Sequence, residues 1–303
     1  MENDVTGVLI IDKDMDFTSF DVVAIVRGLT KTKKVGHTGT LDPMATGVLP
    51  ILIGRATRAE AILPDTDKEY CAGFRLGITT DTQDSTGTVL TESDRPVSRK
   101  ELEEACAQFR GDILQVPPMY SALKKDGVKL VDLARKGVEV EREARPITIF
   151  KLEIESYSPE TRQGTLRVAC SKGTYIRTLC EDIGNTLGCG GIMTSLRRTQ
   201  AAGFTLEDSI TIAEAKRLKE ENSLADRILP VERLFAGYPR VTVTEKQAQR
   251  FQNGGALDLE RLHLPESSKN SAILRVIAPG NRFLGVGEID VEGGQLKVLR
   301  LFF

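Results

Sequence analysis

Only two histidines, His37 and His263, occur among the 303 residues, and neither stands with a nucleophile elbow. A Ser-His-Asp hydrolase is therefore not indicated. No Walker A segment is present, which argues against a nucleotide triphosphatase. The five cysteines, Cys71, Cys106, Cys170, Cys180 and Cys189, form no C-x-x-C pair. That excludes a zinc knuckle and a thioredoxin-like redox motif, and the scattered odd set fits reduced thiols in a cytoplasmic protein. There is no H-E-x-x-H and no carboxylate array suited to a metal. No apolar run approaches a membrane span. Met1-Glu-Asn-Asp-Val5 lacks the basic and apolar regions of a signal peptide. No fixed-period repeat and no low-complexity tract is visible. An excess of positive charge is missing too: 41 Lys and Arg stand against 43 Asp and Glu, for a net charge of −2. This argues against a simple basic nucleic-acid binder, although phosphate affinity depends on local charge.

What is present is an ordinary globular composition, 40% apolar and 28% charged, long enough for about two domains. Basic residues gather at Arg27, Lys31, Lys33 and Lys34, at Lys124, Lys125 and Lys129, at Arg135 and Lys136, and at Arg197 and Arg198. Each cluster reads equally as a solvated face. Gly7–Asp12 is a short apolar run expected as a buried strand. Thr18 and Asp21 bracket a capping box, and Val22, Ile25, Val26 and Leu29 follow at helical spacing, which predicts a helix from about Ser19 to Thr30. Residues 35–47 read as a loop and 48–53 as a strand. Tyr70, Ala72, Phe74 and Leu76 alternate onto one strand face. Ser98 with Glu101 predicts a capped helix to about Phe109. Residues 147–156 and 165–170 read as paired strands, 176–187 as an amphipathic helix ended by Gly188, and 212–220 as a charged helix. From Pro239 onward, short apolar runs alternate with glycine turns, the texture of a small β-barrel or sandwich. The domain boundary falls at 236–239. Residues 115–145, opened by Pro117-Pro118, form a long insertion of mixed charge.

The segment Gly36-His-Thr-Gly-Thr-Leu-Asp-Pro43 places Asp42 between a helix and a strand. Locally this reads either as an Asp-Pro turn or as a carboxylate held at the mouth of a cleft.

The longer run Gly36-His-Thr-Gly-Thr-Leu-Asp-Pro-Met-Ala-Thr-Gly47 resembles the signature loop of the TruB family of pseudouridine synthases. Gly54-Arg-Ala-Thr-Arg58, Asp67-Lys-Glu-Tyr70, Asp81-Thr-Gln-Asp84, Pro118-Met-Tyr-Ser-Ala-Leu-Lys124, Arg142-Glu-Ala-Arg-Pro146, Ser171-Lys-Gly-Thr-Tyr-Ile-Arg177 and Leu196-Arg-Arg-Thr199 follow in the family's order. Phe251-Gln-Asn-Gly254 and Phe283-Leu-Gly-Val-Gly287 are similar to a PUA domain, so the resemblance covers essentially the whole chain. It implies an α+β fold. A pseudouridine synthase catalytic domain over 1–236 is built on an extended mixed, largely antiparallel sheet, with a thumb-like insertion near 115–145. A small PUA-like β-barrel fills 239–303.

The resemblance also implies an activity: isomerisation of the T-loop uridine of tRNA, position 55, to pseudouridine. It implies no cofactor, no metal, no guide RNA and no membrane, and a monomer. Asp42 matches the catalytic carboxylate, acting at C1′ of the ribose or C6 of the base. Arg177 matches the arginine that pairs with it, and the local alternative is an i,i+4 surface pair with Glu181. Tyr70 matches the tyrosine that stacks on the base and takes the C5 proton, and its local alternative is a core tyrosine. His37, Tyr175, Leu196 and Lys13 match substrate-binding or loop-supporting positions. The plainer readings are a loop histidine satisfied by backbone, a core leucine and a solvated strand-end lysine.

Three positions depart from the family pattern. Asp14 and Asp16 replace the usual proline and glycine after Lys13, and Val131 replaces a tyrosine. The lost glycine removes free access to positive φ, which aspartate tolerates better than most residues. A non-catalytic tRNA-binding protein or folding chaperone on the same scaffold is the competing reading.

Overall fold

The computed structural model describes residues 5–64, 66–264, 266, 268 and 271–303. The chain divides into two compact units: Met1–Pro43 with Val48–Thr66 and Ala202–Phe303, and Met44–Gly47 with Asp67–Ala201.

The first unit opens with β1 (Gly7–Lys13), whose apolar run is buried along almost its whole length. Helix α1 (Ser19–Thr30) follows. Its capping box is formed as the sequence predicts. The Thr18 hydroxyl accepts from the Asp21 amide, and the Asp21 carboxylate accepts from the Thr18 amide at 2.8 Å. The Thr18 hydroxyl, which also donates to this carboxylate at 2.6 Å, and the Thr18 amide hold the Asp21 carboxyl below the usual carboxylate range. Val22, Val23 and Val26 are the buried face of α1. The expected loop over 35–47 begins instead with a strand, β2 (Val35–His37). It pairs antiparallel with β3 (Thr46–Ile53), with His37 opposite Ile51. Three residues with a glycine in the middle are too short for a periodicity signal, so only pairing reveals them.

The second unit is a sheet with helices against it. β4 (Lys68–Leu76) shows the predicted alternation of buried and less buried residues. A small ribbon, β5 (Ile78–Thr80) with β6 (Val89–Glu92), leads to α2 (Arg99–Ala107), capped by Ser98 and Glu101 as expected. β7 (Gly111–Gln115) is the edge strand. The 115–145 insertion is not featureless. It carries a hairpin, β8 (Lys124–Lys125) with β9 (Val128–Lys129), and a short helix, α3 (Leu130–Ala134). Asp126 and Gly127 between the two strands both have positive φ, the geometry that favours a tight Asp-Gly hairpin turn. β10 (Arg145–Ser158) and β11 (Gln163–Cys170) are the predicted antiparallel pair. Helix α4 (Ile176–Thr186) packs on β12 (Gly191–Ala201). The order in this unit is β12–β4–β11–β10–β7, all antiparallel. The first two residues of β3 run parallel on the other side of β12.

The rest of the first unit begins with β13 (Phe204–Thr205) and β14 (Ile210–Thr211). β14 runs parallel beside β1, and β1 lies next to β3. Helix α5 (Ile212–Glu220) starts and stops where its pattern predicts. β15 (Arg240–Thr242), α6 (Glu245–Gln252), β16 (Leu257–Asp258), β17 (Ile273–Ala278), β18 (Arg282–Asp290) and β19 (Gln295–Leu301) complete the chain. Where the sequence predicts a small β-barrel or sandwich, the five strands form one curled, half-barrel sheet in the order β15–β17–β18–β19–β16. Val241, Phe251, Leu274, Val276, Leu284 and Leu296 are among the residues of its core. Among the described residues no helix is long and apolar enough to cross a membrane.

Candidate active site

Asp42 and its sequence neighbours belong to the first unit, whereas Tyr70 and Arg177 belong to the second. In the first unit the residues on either side of Asp42 are both fixed. Leu41 is buried, and its amide donates to Ser19 Oγ at 2.8 Å while its carbonyl accepts from that hydroxyl at 3.2 Å. Ser19 is the first residue of α1, so the capped helix end delivers this clamp. On the other side the Pro43 carbonyl accepts from Lys13 Nζ at 3.2 Å and from the Asp16 amide at 2.9 Å. Lys13 Nζ also donates to the carbonyls of Phe17, at 2.7 Å, and Asp14, at 2.9 Å.

Lys13 is completely buried. The solvated strand-end lysine of the plainer reading is therefore incorrect. An ammonium has three donors, and these three carbonyls match them in number. Asp42 itself stays half-buried on this braced loop. Asp16 sits at φ 68°, the left-handed region where a glycine would be unstrained, and the turn forms all the same.

His37 ends β2. Its Nδ1 accepts from the Gly39 amide at 3.2 Å, which leaves the proton of a neutral imidazole on Nε2. The exposed ring of Phe20 on α1 meets it edge-on, with centroids 5.8 Å apart. The backbone satisfies Nδ1 as the plainer reading expects, although His37 lies in a strand and not in a loop, and Nε2 is not engaged by that bond.

In the second unit Tyr70 and Arg198 are direct cross-strand partners on β4 and β12, and Leu196 faces Ala72 two residues along. Opposed residues of an antiparallel pair share a face, so Tyr70, Leu196 and Arg198 lie on the same side of the sheet. Tyr70 is almost wholly buried and Leu196 is 9% exposed. Arg198 is hydrogen-bonded to Tyr70. Grouping Arg198 with the surface basic clusters was incorrect, because it is fully buried. The pleat separates it from Arg197, whose guanidinium reaches the Thr46 hydroxyl at 3.4 Å.

Tyr175 caps the start of α4. Buried Gln115 grips its backbone twice, accepting from its amide at 2.8 Å and donating to its carbonyl at 3.1 Å. Arg177 is buried, so it is not a surface residue of the i,i+4 kind. It donates to the carbonyls of Thr82, at 3.0 Å, and Tyr120, at 2.9 Å. Buried Asp84 lies 3.8 Å from it. Glu181, its suggested surface partner, accepts from the Gln83 amide group. Asp84 in turn accepts from the Thr82 hydroxyl and from the amide and hydroxyl of Thr86. Arg177 thus gathers the 80s loop and the root of the insertion.

Ser19, Asp84, Gln115 and Arg198 were assigned no role from sequence. For Asp84 and Arg198 the signal was membership of ordered motifs. Ser19 and Gln115 act through bonds to distant backbone, which no local pattern announces.

Three family models match the chain. TruB family pseudouridylate synthase (N-terminal domain) covers residues 27–176, tRNA pseudouridylate synthase B C-terminal domain covers 177–236, and Pseudouridine synthase II TruB, C-terminal, covers 239–302. Among similar curated proteins, the tRNA pseudouridine synthase B of Clostridium kluyveri is 44% identical over 98% of this chain and 99% of its own. That of Pseudomonas aeruginosa is 44% identical over 95% and 93%. Among solved structures, a chain of a Cbf5-Nop10-Gar1 complex superposes with a TM-score of 0.75 at 25% identity, over 98% of this chain and 85% of its own. A chain of an H/ACA RNP bound to a substrate RNA gives 0.74 at 23% identity, over 98% and 85%, and shares the fold.

Proposed function

The chain belongs to the TruB family of pseudouridine synthases and is a tRNA pseudouridine synthase, an isomerase, and from that premise we propose that it acts alone on the T-loop uridine at tRNA position 55, with Asp42 as its catalytic carboxylate.

The observation that carries this reading is the bracing of Asp42. Its two neighbours are tied down by Ser19 and by Lys13 with Asp16. A nucleophile or electrostatic stabiliser gains most when its position is fixed before substrate arrives. The isomerisation breaks the N1–C1′ bond and forms a C5–C1′ bond. The proton lost from C5 is balanced by one gained at N1, so the reaction is redox-neutral. An ionised carboxylate serves at C1′ or at C6 alike.

Tyr70 takes the C5 proton and stacks on the base, with Leu196 as an apolar wall on the same face of the sheet. Arg177, always charged, serves as the orienting guanidinium of the site. Tyr175 borders the base. His37 presents Nε2 to the extruded nucleotide, whose flipping costs a few kcal/mol. Lys13 supports the loop. The exposed lysines of the 124–129 hairpin suit phosphate contacts, which position the RNA without reading it. The C-terminal region, 239–303, adds RNA-binding surface. All five cysteines are free, and burial pushes the thiols of Cys106 and Cys170 up to about 11, which keeps them protonated and unreactive.

The position is tested with T-arm stem-loops that keep all other uridines and carry either uridine or cytidine at 55. Product confined to the uridine-55 RNA supports the assignment, and conversion at another uridine contradicts it.

A further inference from the structure

We propose that Arg198 is a positioning residue for the isomerisation, its buried guanidinium fixing the hydroxyl of Tyr70 from within the sheet. The inference rests on the reading of Tyr70 as the residue that takes the C5 proton.

Taking a guanidinium out of water costs several kcal/mol unless it is well bonded. Arg198 is 0% exposed and is among the largest fully buried side chains of the molecule. It sits on β12 with a strand on either side, opposite Gly47 of β3 and opposite Tyr70 of β4. The backbone is locked on the β3 side. A Cβ on Gly47, whose φ is +103°, would lie 2.1 Å from the Arg198 carbonyl oxygen, so only glycine permits this approach. Gly47 closes the same sequence motif that carries Asp42, five residues upstream. On the β4 side the guanidinium meets the Tyr70 hydroxyl. Burial works against the charged form of Arg198, and the bond to Tyr70 works in its favour.

The donor inventory then fixes the direction of that bond. A guanidinium has no acceptor, so the Tyr70 oxygen must accept from it. One lone pair is held by Arg198, and the phenol's own proton is turned away from it. The reacting form is the phenolate, reached once the phenol has given that proton to solvent, and when it takes the proton from C5 it becomes the phenol again. The guanidinium bond persists, stronger to the anion than to the neutral oxygen. Arg198 therefore sets both the place of the oxygen and the ease with which it carries charge. The proton taken from C5 leaves to solvent, and N1 takes one from solvent.

The test compares the natural chain with Arg198→Met, Arg198→Lys, Tyr70→Phe and the Arg198→Met/Tyr70→Phe double variant. Single-turnover conversion and binding of a T-arm stem-loop are both measured. Arg198→Met is expected to slow conversion about tenfold or more, with binding changed less than about twofold. The double variant is expected to be no slower than Tyr70→Phe alone, because the arginine acts through the tyrosine. Arg198→Lys is expected to recover part of the loss.

A second readout keeps the idea exposed if Arg198→Met does not fold. With ¹³Cζ-tyrosine labelling the chain has five tyrosines, and Tyr70→Phe identifies the one that matters. Arg198→Lys is expected to move that resonance and leave the other four. An unmoved resonance, or losses that multiply in the double variant, overturns the proposal. A slow Tyr70→Phe beside an Arg198→Met of natural rate sinks the Arg198 inference alone. A Tyr70→Phe of natural rate overturns the reading of Tyr70 on which it rests.

Discussion

The ammonium of Lys13 and the carbonyl of Pro43 lie 3.2 Å apart, which joins the end of β1 to the residue that follows Asp42. Lys13 has no exposure and donates to two further carbonyls, so it acts as a three-way clip for the turn and the loop. Lys13→Met takes this donor from the carbonyls of Asp14 and Phe17 and leaves Pro43 with the Asp16 amide alone. The expected cost is on the order of 3 kcal/mol in stability, with a fall in kcat larger than any rise in KM. Denaturant melts and steady-state rates check this. Lys13→Arg is not a conservative rescue, because a planar fork cannot match three convergent carbonyls.

Asp16 holds a left-handed backbone conformation, with its amide bonded to Pro43. Asp16→Gly keeps that bond and removes the strain of a side chain at positive φ. The expected gain is about 0.5–1 kcal/mol, seen as a higher denaturation midpoint. The same change removes a negative charge beside the loop, so T-arm binding at low salt is expected to tighten. A lower midpoint would contradict the reading of Asp16 as a strained stand-in for glycine.

Phe20 is 70% exposed and presents its ring to His37. An exposed aromatic contributes little to folding and much to stacking on RNA. Phe20→Ala is expected to weaken T-arm binding by about 1–3 kcal/mol while changing stability by less than about 0.5 kcal/mol. Fluorescence anisotropy with a labelled stem-loop, beside a thermal melt, separates the two.

How much of this was legible in the chain differs by the kind of interaction. Helix α1 announced itself because its cap, Thr18 to Asp21, and its apolar stripe are local, and α5 did the same. The alternation of β4 exposed its buried face. Asp42, Tyr70 and Arg177 stood out through ordered motifs rather than periodicity. β2 escaped because three residues carry no period, and the 124–129 hairpin because its strands have two residues each. Lys13 and Arg198 carry the chemical signature of surface residues. Their burial is set by partners 30 residues away for one and on a neighbouring strand for the other.

Burial pushes the Asp182 carboxyl up to about 6, and burial also raises its neighbour Glu181. Both bind protons more tightly in the folded chain than in the unfolded one. Their contribution to stability is therefore full below about pH 4, where an ordinary carboxyl is protonated. It is lost as the pH rises through about 6. Asp182→Asn removes the penalty of ionising in place. Its melting temperature relative to the natural chain is expected to rise between pH 4 and pH 7. A difference that is flat or falls across that window contradicts the assignment.

We propose Asp42 as the carboxylate that carries the chemistry, on a loop braced by bonds to its neighbours. The most direct measurement is pseudouridine formation in an unmodified T-arm stem-loop, with the natural chain beside Asp42→Asn and binding measured for both. Product at uridine 55 is expected with the natural chain and none with Asp42→Asn, at comparable binding. Product from Asp42→Asn at the natural rate would contradict that role for Asp42. Tight binding without product from either chain would instead favour a tRNA-binding or folding role for the scaffold.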